Sequence, residues 1–288
     1  MADSSKPTIP LHVNDHRRDI LGFRYIYPVV SRRAGGVSVG INLNPNNACN
    51  WRCIYCQVPD LRRGGPPDID LALLREELAA MLDELVNGDF MVRNVPESAR
   101  RLNDIALSGN GEPTASKQFA EVIDLIAEET TRFGLTDLKL VLISNGSQMY
   151  RSEIQTALTT MSRLNGEVWF KFDQAPIDGY SDINQIALSE AQILRHLNFA
   201  STHCPTWIQT CMFCRNGEPP GDEAVSAYLA ILEKALETGC RLEGVLLYGV
   251  ARPSTQPEAP QISAAPLDWM EKMARKIEAI GLPVKLSA

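Results

Sequence analysis

Between residues 36 and 281 the chain alternates between two kinds of run, and no other feature limits its fold as strongly. "GVSVGINL" (36–43) is apolar, β-branched and bounded by Gly and Pro, as expected of a strand buried on both faces. The runs 104–109, 138–144, 167–173, 206–213 and 244–250 have the same character. Helical patterns lie between them. In "LALLREELAAMLDELV", Leu71, Leu74, Leu78, Met81, Leu82 and Leu85 recur at steps of three and four. Asp70 is placed to cap that helix and Asn87-Gly88 to end it. "FAEVIDLIAEETTRFG", "EAVSAYLAILEKALETG" and "DWMEKMARKIEAIG" repeat the pattern and stop at Gly134, Gly239 and Gly281.

Six strands, each followed by a helix, imply parallel pairing through right-handed crossovers. The economical α/β architecture is a partial (β/α)6 barrel over residues 25–288, open because there are six strong units rather than eight. A doubly wound open sheet is the competing arrangement. Residues 1–24 show no clear period and read as an N-terminal extension, and "RPSTQPEAPQISAAP" (252–266) reads as a loop.

No apolar run approaches the length of about 18 residues that a membrane helix needs. The polar start "MADSSKPTIP" lacks a signal core, so a reducing cytoplasm is the expected compartment. Seven cysteines in that setting do not read as a disulfide framework. The formal charge of −7, from 28 basic and 35 acidic residues, argues against a broad phosphate-gripping surface but leaves room for a local basic patch.

Three of the cysteines crowd into "ACNWRCIYCQV": Cys49, Cys53 and Cys56, spaced C-x3-C-x2-C directly after the first predicted strand. Active sites of parallel α/β folds lie at the carboxyl ends of the strands, so this loop sits where chemistry is expected. Three thiolates can hold three irons of a [4Fe–4S] cubane and leave the fourth iron open to a ligand. The alternative is a zinc site completed by a distant Cys or His, with His12 and His16 the nearest histidines.

On these residues the sequence resembles the radical S-adenosylmethionine (SAM) superfamily, which implies a [4Fe–4S] cluster on Cys49, Cys53 and Cys56, with SAM chelating the open iron. Further segments carry the resemblance. Tyr55, before the third cysteine, matches the aromatic residue that lies against the adenine. "SGNGEPT" (108–114) looks like the segment that receives the SAM amino group, although Asn110 interrupts the glycine pair and leaves Gly109, Gly111 and Glu112. Independently of any family, small residues permit close backbone approach and Glu112 can accept from an ammonium; a plain turn into a helix is the competing reading. "ISNG" (143–146) and "KFD" (171–173) end the third and fourth strands. There Ser144, Asn145, Lys171 and Asp173 match positions that contact the sulfonium side and the ribose, and Asp173 could accept both ribose hydroxyls or cap a turn. Trp169, Lys171 and Asp173 share one face of their strand by period two.

The stretch "YPVVSRRAGGVSVGINLNPNNACNWRCIYCQ" and the strand end "LLYGVARPS" (246–254) resemble a subgroup containing the wyosine-forming tRNA-modifying enzymes and iron–sulfur oxidoreductases; the likeness spans residues 27–254. Arg32, Arg33 and Arg252 could bind an anionic substrate or the SAM carboxylate, or pair with surface carboxylates. The family also implies a one-electron donor of flavodoxin or ferredoxin type. The acidic balance favours a small-molecule or peptide substrate over tRNA, because of the basic doublets Arg17-Arg18, Arg32-Arg33 and Arg62-Arg63 only the last is expected at the barrel mouth. A glycyl-radical activase and a non-catalytic iron–sulfur protein are the other readings. Cys204 and Cys211 should lie at opposite ends of a strand, Cys211 and Cys214 are either buried thiols or half of an auxiliary site, Cys240 reads as structural, and His196 is expected on a helix surface.

Overall fold

The computed structural model describes residues 11, 22–31, 35–174 and 180–287. An antiparallel hairpin of β1 (Ile26–Ser31) and β2 (Gly36–Ile41) opens the fold. Two short strands, β3 (Ala48–Cys49) and β4 (Arg62–Arg63), pair in parallel before helices α1 (Leu71–Val86) and α2 (Phe90–Asn94). Strands and helices then alternate: β5 (Leu102–Leu107), α3 (Phe119–Arg132), β6 (Lys139–Ser144), α4 (Ser152–Arg163), β7 (Gly166–Lys171) and α5 (Glu190–His203). They continue with β8 (Thr206–Arg215), α6 (Asp222–Glu237), β9 (Leu242–Gly249), β10 (Ile262–Ala264), α7 (Leu267–Ala279) and β11 (Val284–Ser287).

The main sheet runs β1-β2-β5-β6-β7-β8-β9-β11, and β10 lies antiparallel along the end of β8. Every other neighbouring pair is parallel except β1–β2. The order never reverses. A doubly wound sheet must reverse at a switch point; a monotonic order with crossovers of one hand puts the helices on one face and lets the sheet curl. The result is a curled parallel half-barrel with edges at β1 and β11, as the partial-barrel expectation required.

All six expected strands and the four expected helices form. Asp70 caps α1 by accepting from the Leu73 amide at 3.0 Å, and Gly134, Gly239 and Gly281 take the positive φ that follows a helix end. The pattern reading missed β1, β3, β4, β10 and β11, which are short or carry Pro28, and also α2 and α4; of α5 it had only the helical setting of His196. Helix α4, "SEIQTALTTMSR", is rich in Ser and Thr, which dilute a helical signal. Tertiary burial holds it: Ile154, Leu158 and Met161 pack into the main core, each worth about 1.5–3 kcal/mol relative to exposure.

Strand parity separates two environments. Val37, Val39, Ile41, Val168, Phe170, Phe172, Ile208 and Met212 face the helices and form the main core. The opposite positions of β7, Trp169 and Lys171, with Asp173 just beyond the strand, face the concave side together with Tyr248 of β9. Of the expected extension, Leu11 is buried and its amide donates to the Asn94 carbonyl at 2.8 Å. His12, His16, Arg17, Arg18, Arg32 and Arg33 lie outside the described residues. Among the described residues no helix is long and apolar enough to cross a membrane.

Candidate functional site

The cysteine loop leaves the carboxyl end of β2 and is closed on itself by β3 and β4. Arg62 N–H donates to the Asn47 carbonyl at 2.9 Å and Gly64 N–H to the Cys49 carbonyl at 3.0 Å. Asn47 and Asp60 take positive φ at its corners, a conformation Asn and Asp tolerate. Asn42 Oδ1 accepts from the amides of Asn44 and Asn110, both at 3.0 Å, and Asn44 Nδ2 donates to the Ala48 carbonyl at 2.8 Å. The β5 loop therefore lies hard against the cysteine loop. A Cβ on Gly109 would stand 2.3 Å from Asn42 Oδ1, and one on Gly111 2.2 Å from the Ala48 carbonyl oxygen. The two glycines serve this loop-on-loop packing, and Asn110, between them, donates through Nδ2 to Asn47 Oδ1 at 2.6 Å.

Glu112 is a buried hub. Its Oε1 accepts from the Thr114 amide at 3.1 Å, the Thr114 hydroxyl and the Ser144 hydroxyl at 2.7 Å, and its Oε2 accepts from the Asn145 amide at 2.7 Å. It also caps the 3-10 turn Pro113–Ala115, which is the turn that the competing reading expected. Burial raises its pKa although these donors pull the other way. One lone pair on Oε2 is left for an added donor, which is the capacity an ammonium needs. Asn145 Nδ2 continues the network to Asn50 Oδ1 at 2.9 Å, and Asn50 Nδ2 reaches Ser147 Oγ at 2.7 Å, joining the end of β6 to the residue after Cys49.

At the end of β7, Asp173 is 1% exposed. Its Oδ2 accepts from the Tyr55 hydroxyl and, at 3.1 Å, from Asn184 Nδ2; its Oδ1 accepts from the Cys211 amide at 2.9 Å. The carboxylate expected to take two ribose hydroxyls is thus engaged by the protein itself in this state. Lys171 Nζ lies 3.8 Å from Asp173 Oδ1, donates to the Tyr248 hydroxyl at 3.0 Å and stands 5.1 Å from the Tyr55 ring centroid. Burial alone would lower its pKa, but Asp173 and the neighbouring acids hold it raised, so it stays a cation. Tyr55 packs its ring against Phe213, and burial followed by Asp173 keeps its hydroxyl protonated.

The loop 250–261 straps the outer side of the cysteines. Ser254 Oγ donates to the Ile54 carbonyl at 2.7 Å, the Thr255 amide to the Cys56 carbonyl at 3.0 Å, and Gln256 Nε2 to the Val58 carbonyl at 3.1 Å. Arg52, inside the cysteine motif, grips Glu258 with both terminal nitrogens and Gln185 through Nε at 2.7 Å. Arg252 lies in this strap, its carbonyl accepting from Gln57 Nε2 at 2.9 Å. The Pro-rich run predicted as a loop is thus ordered by the motif it covers.

The three thiols lie within electrostatic reach of one another, since Cys53 and Cys56 each help raise the Cys49 pKa. Burial pushes the Cys49 thiol up to about 12 and the Cys53 thiol up to about 11, so both favour the protonated form until a cation enters. Among the described residues no three His, Cys, Asp or Glu gather tightly enough for one metal ion. Thiolates on three irons of a cubane stand farther apart than ligands on one zinc at Zn–S distances of about 2.3 Å. Three buried acceptors lack any donor among the described residues, Asn44 Oδ1, Asn110 Oδ1 and Asn184 Oδ1, and all belong to side chains on or against this loop. A three-thiol loop with unmet acceptors around it fits a cubane carrying a ligand rich in N–H or O–H groups.

The other cysteines stand apart. Cys211 packs with Ile54, Tyr55, Ile183 and Phe213 on the concave side. Cys214 is three positions along the same strand and so faces the opposite side. The two cannot close a site together, and both are buried. Cys204 precedes β8 and donates to the Gly166 carbonyl at 3.4 Å, and Cys240 belongs to the main core. His196 corrects the sequence reading: it is 6% exposed, stacked on Tyr150, because the α5 face that carries it turns inward. Asn42, Asn44, Asn50, Asn184 and the strap were not singled out from sequence. The Asn-rich "NLNPNNACN" is the signal that points to the first three.

No protein-family model matches the chain. A protein from Helicobacter pylori described as a UPF0026 protein is 32% identical over 133 residues, 46% of this chain and 37% of its own length. A UPF0026 protein from Methanocaldococcus jannaschii is 24% identical over 163 residues, 43% of its length, and a protein from Brachyspira hyodysenteriae described as GTPase Obg is 27% identical over 154 residues, 20% of its length. The chain thus spans well under half of these relatives. Among solved structures, a radical SAM methyltransferase from Sphaerobacter thermophilus superposes with TM-score 0.60 at 13% identity, covering 88% of this chain and 66% of that one. A variant of spore photoproduct lyase superposes with TM-score 0.57 at 11% identity, covering 91% and 79%. Structural likeness at such identities speaks for the fold, and the fold is the half-barrel of radical SAM enzymes.

Proposed function

We propose that the chain is a radical SAM enzyme that holds a [4Fe–4S] cluster on Cys49, Cys53 and Cys56 and binds S-adenosylmethionine beside it. One observation carries this reading: the three-cysteine loop leaves the carboxyl end of β2 in a half-barrel of the radical SAM type, packed against the Glu112 hub. When bound, the cluster supplies the electron that cleaves the cofactor and starts radical chemistry on a substrate. The protein's own part is to bind, orient and exclude water. Glu112 aligns Ser144 and Asn145 and keeps one acceptor site open for an ammonium. Lys171 stays cationic beneath Tyr55, and the strap covers the outer side of the cysteines.

For the substrate class, two arginines at the mouth carry the argument. The Arg63 guanidinium is spent on the Asn50 and Gln185 carbonyls, and Arg52 on Glu258. With these two cations already engaged, the described part of the mouth supports a small molecule or peptide over tRNA, and the radical SAM reading adds a flavodoxin- or ferredoxin-like electron donor. Wyosine-type modification and glycyl-radical activation are the competing outcomes. The GTPase description of the Brachyspira protein does not carry over, because these 288 residues contain no Gly-x4-Gly-Lys-Ser/Thr loop to hold a triphosphate.

Anaerobic reconstitution tests the reading. The expected protein is brown, binds about four irons per chain, and on reduction with dithionite releases 5′-deoxyadenosine from S-adenosylmethionine. Ala at any of the three cysteines removes the colour. A colourless protein that loads one zinc stoichiometrically would refute it.

A further inference from the structure

Asn184 has no part in the motifs above, yet it is 0% exposed and sits where the cysteine loop meets the end of β7. Its Nδ2 lies 3.2 Å from Cys53 Sγ and 3.1 Å from Asp173 Oδ2. One amide group has two N–H hydrogens, and here each has its own acceptor. The opposite amide orientation would turn Oδ1 toward a carboxylate and a cysteine sulfur, so Asp173 fixes which end faces Cys53. The backbone holds the residue in place: Ile54 N–H donates to the Ile183 carbonyl at 2.8 Å and Arg52 N–H to the Asn184 carbonyl at 3.3 Å. The surroundings are dry, for Ile54, Tyr55, Ile183, Cys211 and Phe213 pack as one buried cluster with Cys53 against it.

We infer that Asn184 is a positioning residue that sets the reduction potential of the cluster, by donating an N–H hydrogen bond to the Cys53 sulfur from an amide anchored on Asp173. The inference rests on the proposed [4Fe–4S] site. Hydrogen bonds to cluster sulfurs and exclusion of solvent are what tune such potentials. An N–H at the sulfur favours the more negative, reduced cluster, and a low dielectric strengthens it. Asp173 is thereby tied to Cys53 through a single side chain, so a rearrangement at Asp173 on ligand binding would be felt at the cluster.

The test compares wild type with Asn184→Ala and Asn184→Ser, each reconstituted anaerobically. Iron and sulfide per chain are measured first, then the midpoint potential, by mediated titration followed through the electron paramagnetic resonance of the reduced cluster. Asn184→Ala is expected to keep its cluster and to be reduced with an equilibrium constant lower by up to about tenfold, a downward shift of about 59 mV for one electron. Asn184→Ser, with one hydrogen to offer, should fall between. A loaded Asn184→Ala whose constant changes less than twofold overturns the inference. If only Asn184→Ala fails to load, Asn184→Ser decides by the same criterion; loss of the cluster from both assigns Asn184 a purely structural role and overturns it too. Wild type that takes up no iron would sink the proposed function itself, which separates the two failures.

Discussion

Replacing Glu112 by Ala removes the acceptor on which the end of β6 depends. Four donors lose their partner: the Thr114 amide and hydroxyl, the Ser144 hydroxyl and the Asn145 amide. The hydroxyls can rotate toward other acceptors, but the two amides cannot. Thr114 and Asn145 are buried. A buried donor left unsatisfied costs about 1–3 kcal/mol. Against this, the variant is relieved of the burial penalty that raises the Glu112 pKa. The balance is a loss of about 2–4 kcal/mol, a large part of the roughly 5–15 kcal/mol typical of a domain. Urea unfolding of the apoprotein at pH 7 should show a lower midpoint with an unchanged slope. Glu112→Gln keeps one acceptor oxygen and should lose about half as much. An apoprotein of Glu112→Ala within about 0.5 kcal/mol of wild type would refute the hub.

The remaining expectations concern the loops around the cysteines and the surface at the mouth. Gly111→Ala drives a methyl into the Ala48 carbonyl oxygen at 2.2 Å, so it should cost about 1–3 kcal/mol and lower the iron bound per chain; wild-type stability and iron content would contradict that contact. Glu258→Gln breaks the grip on Arg52 and should cost about 1 kcal/mol at pH 7. Arg52 holds the Glu258 pKa below the carboxylate value of 4.5, so this contribution is present above pH 4.5 and fades as the pH falls through the lowered value; paired unfolding curves of wild type and variant should converge there. In the apoprotein the folded Cys49 thiol titrates at about 12 against 9.0 in the unfolded chain, so between those values the folded state holds more protons and loses stability as pH rises. Cys49→Ser should therefore gain on wild type between pH 8 and pH 10, and parallel midpoints at the two pH values would contradict the burial argument. Filter binding of total tRNA at low salt should be weaker than micromolar; tighter binding with a log–log salt slope of several units would promote tRNA as the substrate.

The arc of the fold was legible in the sequence because burial on both faces writes continuous apolar runs and amphipathic helices write a regular stripe. "GVSVGI" and "LALLREELAAMLDELV" needed no partner to be recognised as strand and helix. The three cysteines were legible for a different reason: their spacing is local and their chemistry does not depend on the rest of the chain. The edge strands β1 and β11 and the Thr-rich α4 were not, since their identity comes from the neighbours they dock on. The same division runs through the site. Sequence brought out Glu112 and Asp173 as acidic residues at strand ends. Only the tertiary structure shows that their oxygens are largely occupied by Thr114, Ser144 and Asn145 in one case and by Tyr55, Asn184 and Cys211 in the other. Cys211 and Cys214 read from sequence as buried thiols or half of an auxiliary site, and strand parity puts them, both buried, on opposite faces. Asn184 stands 131 residues from Cys53, and Glu258 stands 206 from Arg52. Such contacts leave no periodic or local trace, because they are made by crossovers that bring distant strand ends to one rim, and a linear pattern records only what a residue shares with its near neighbours.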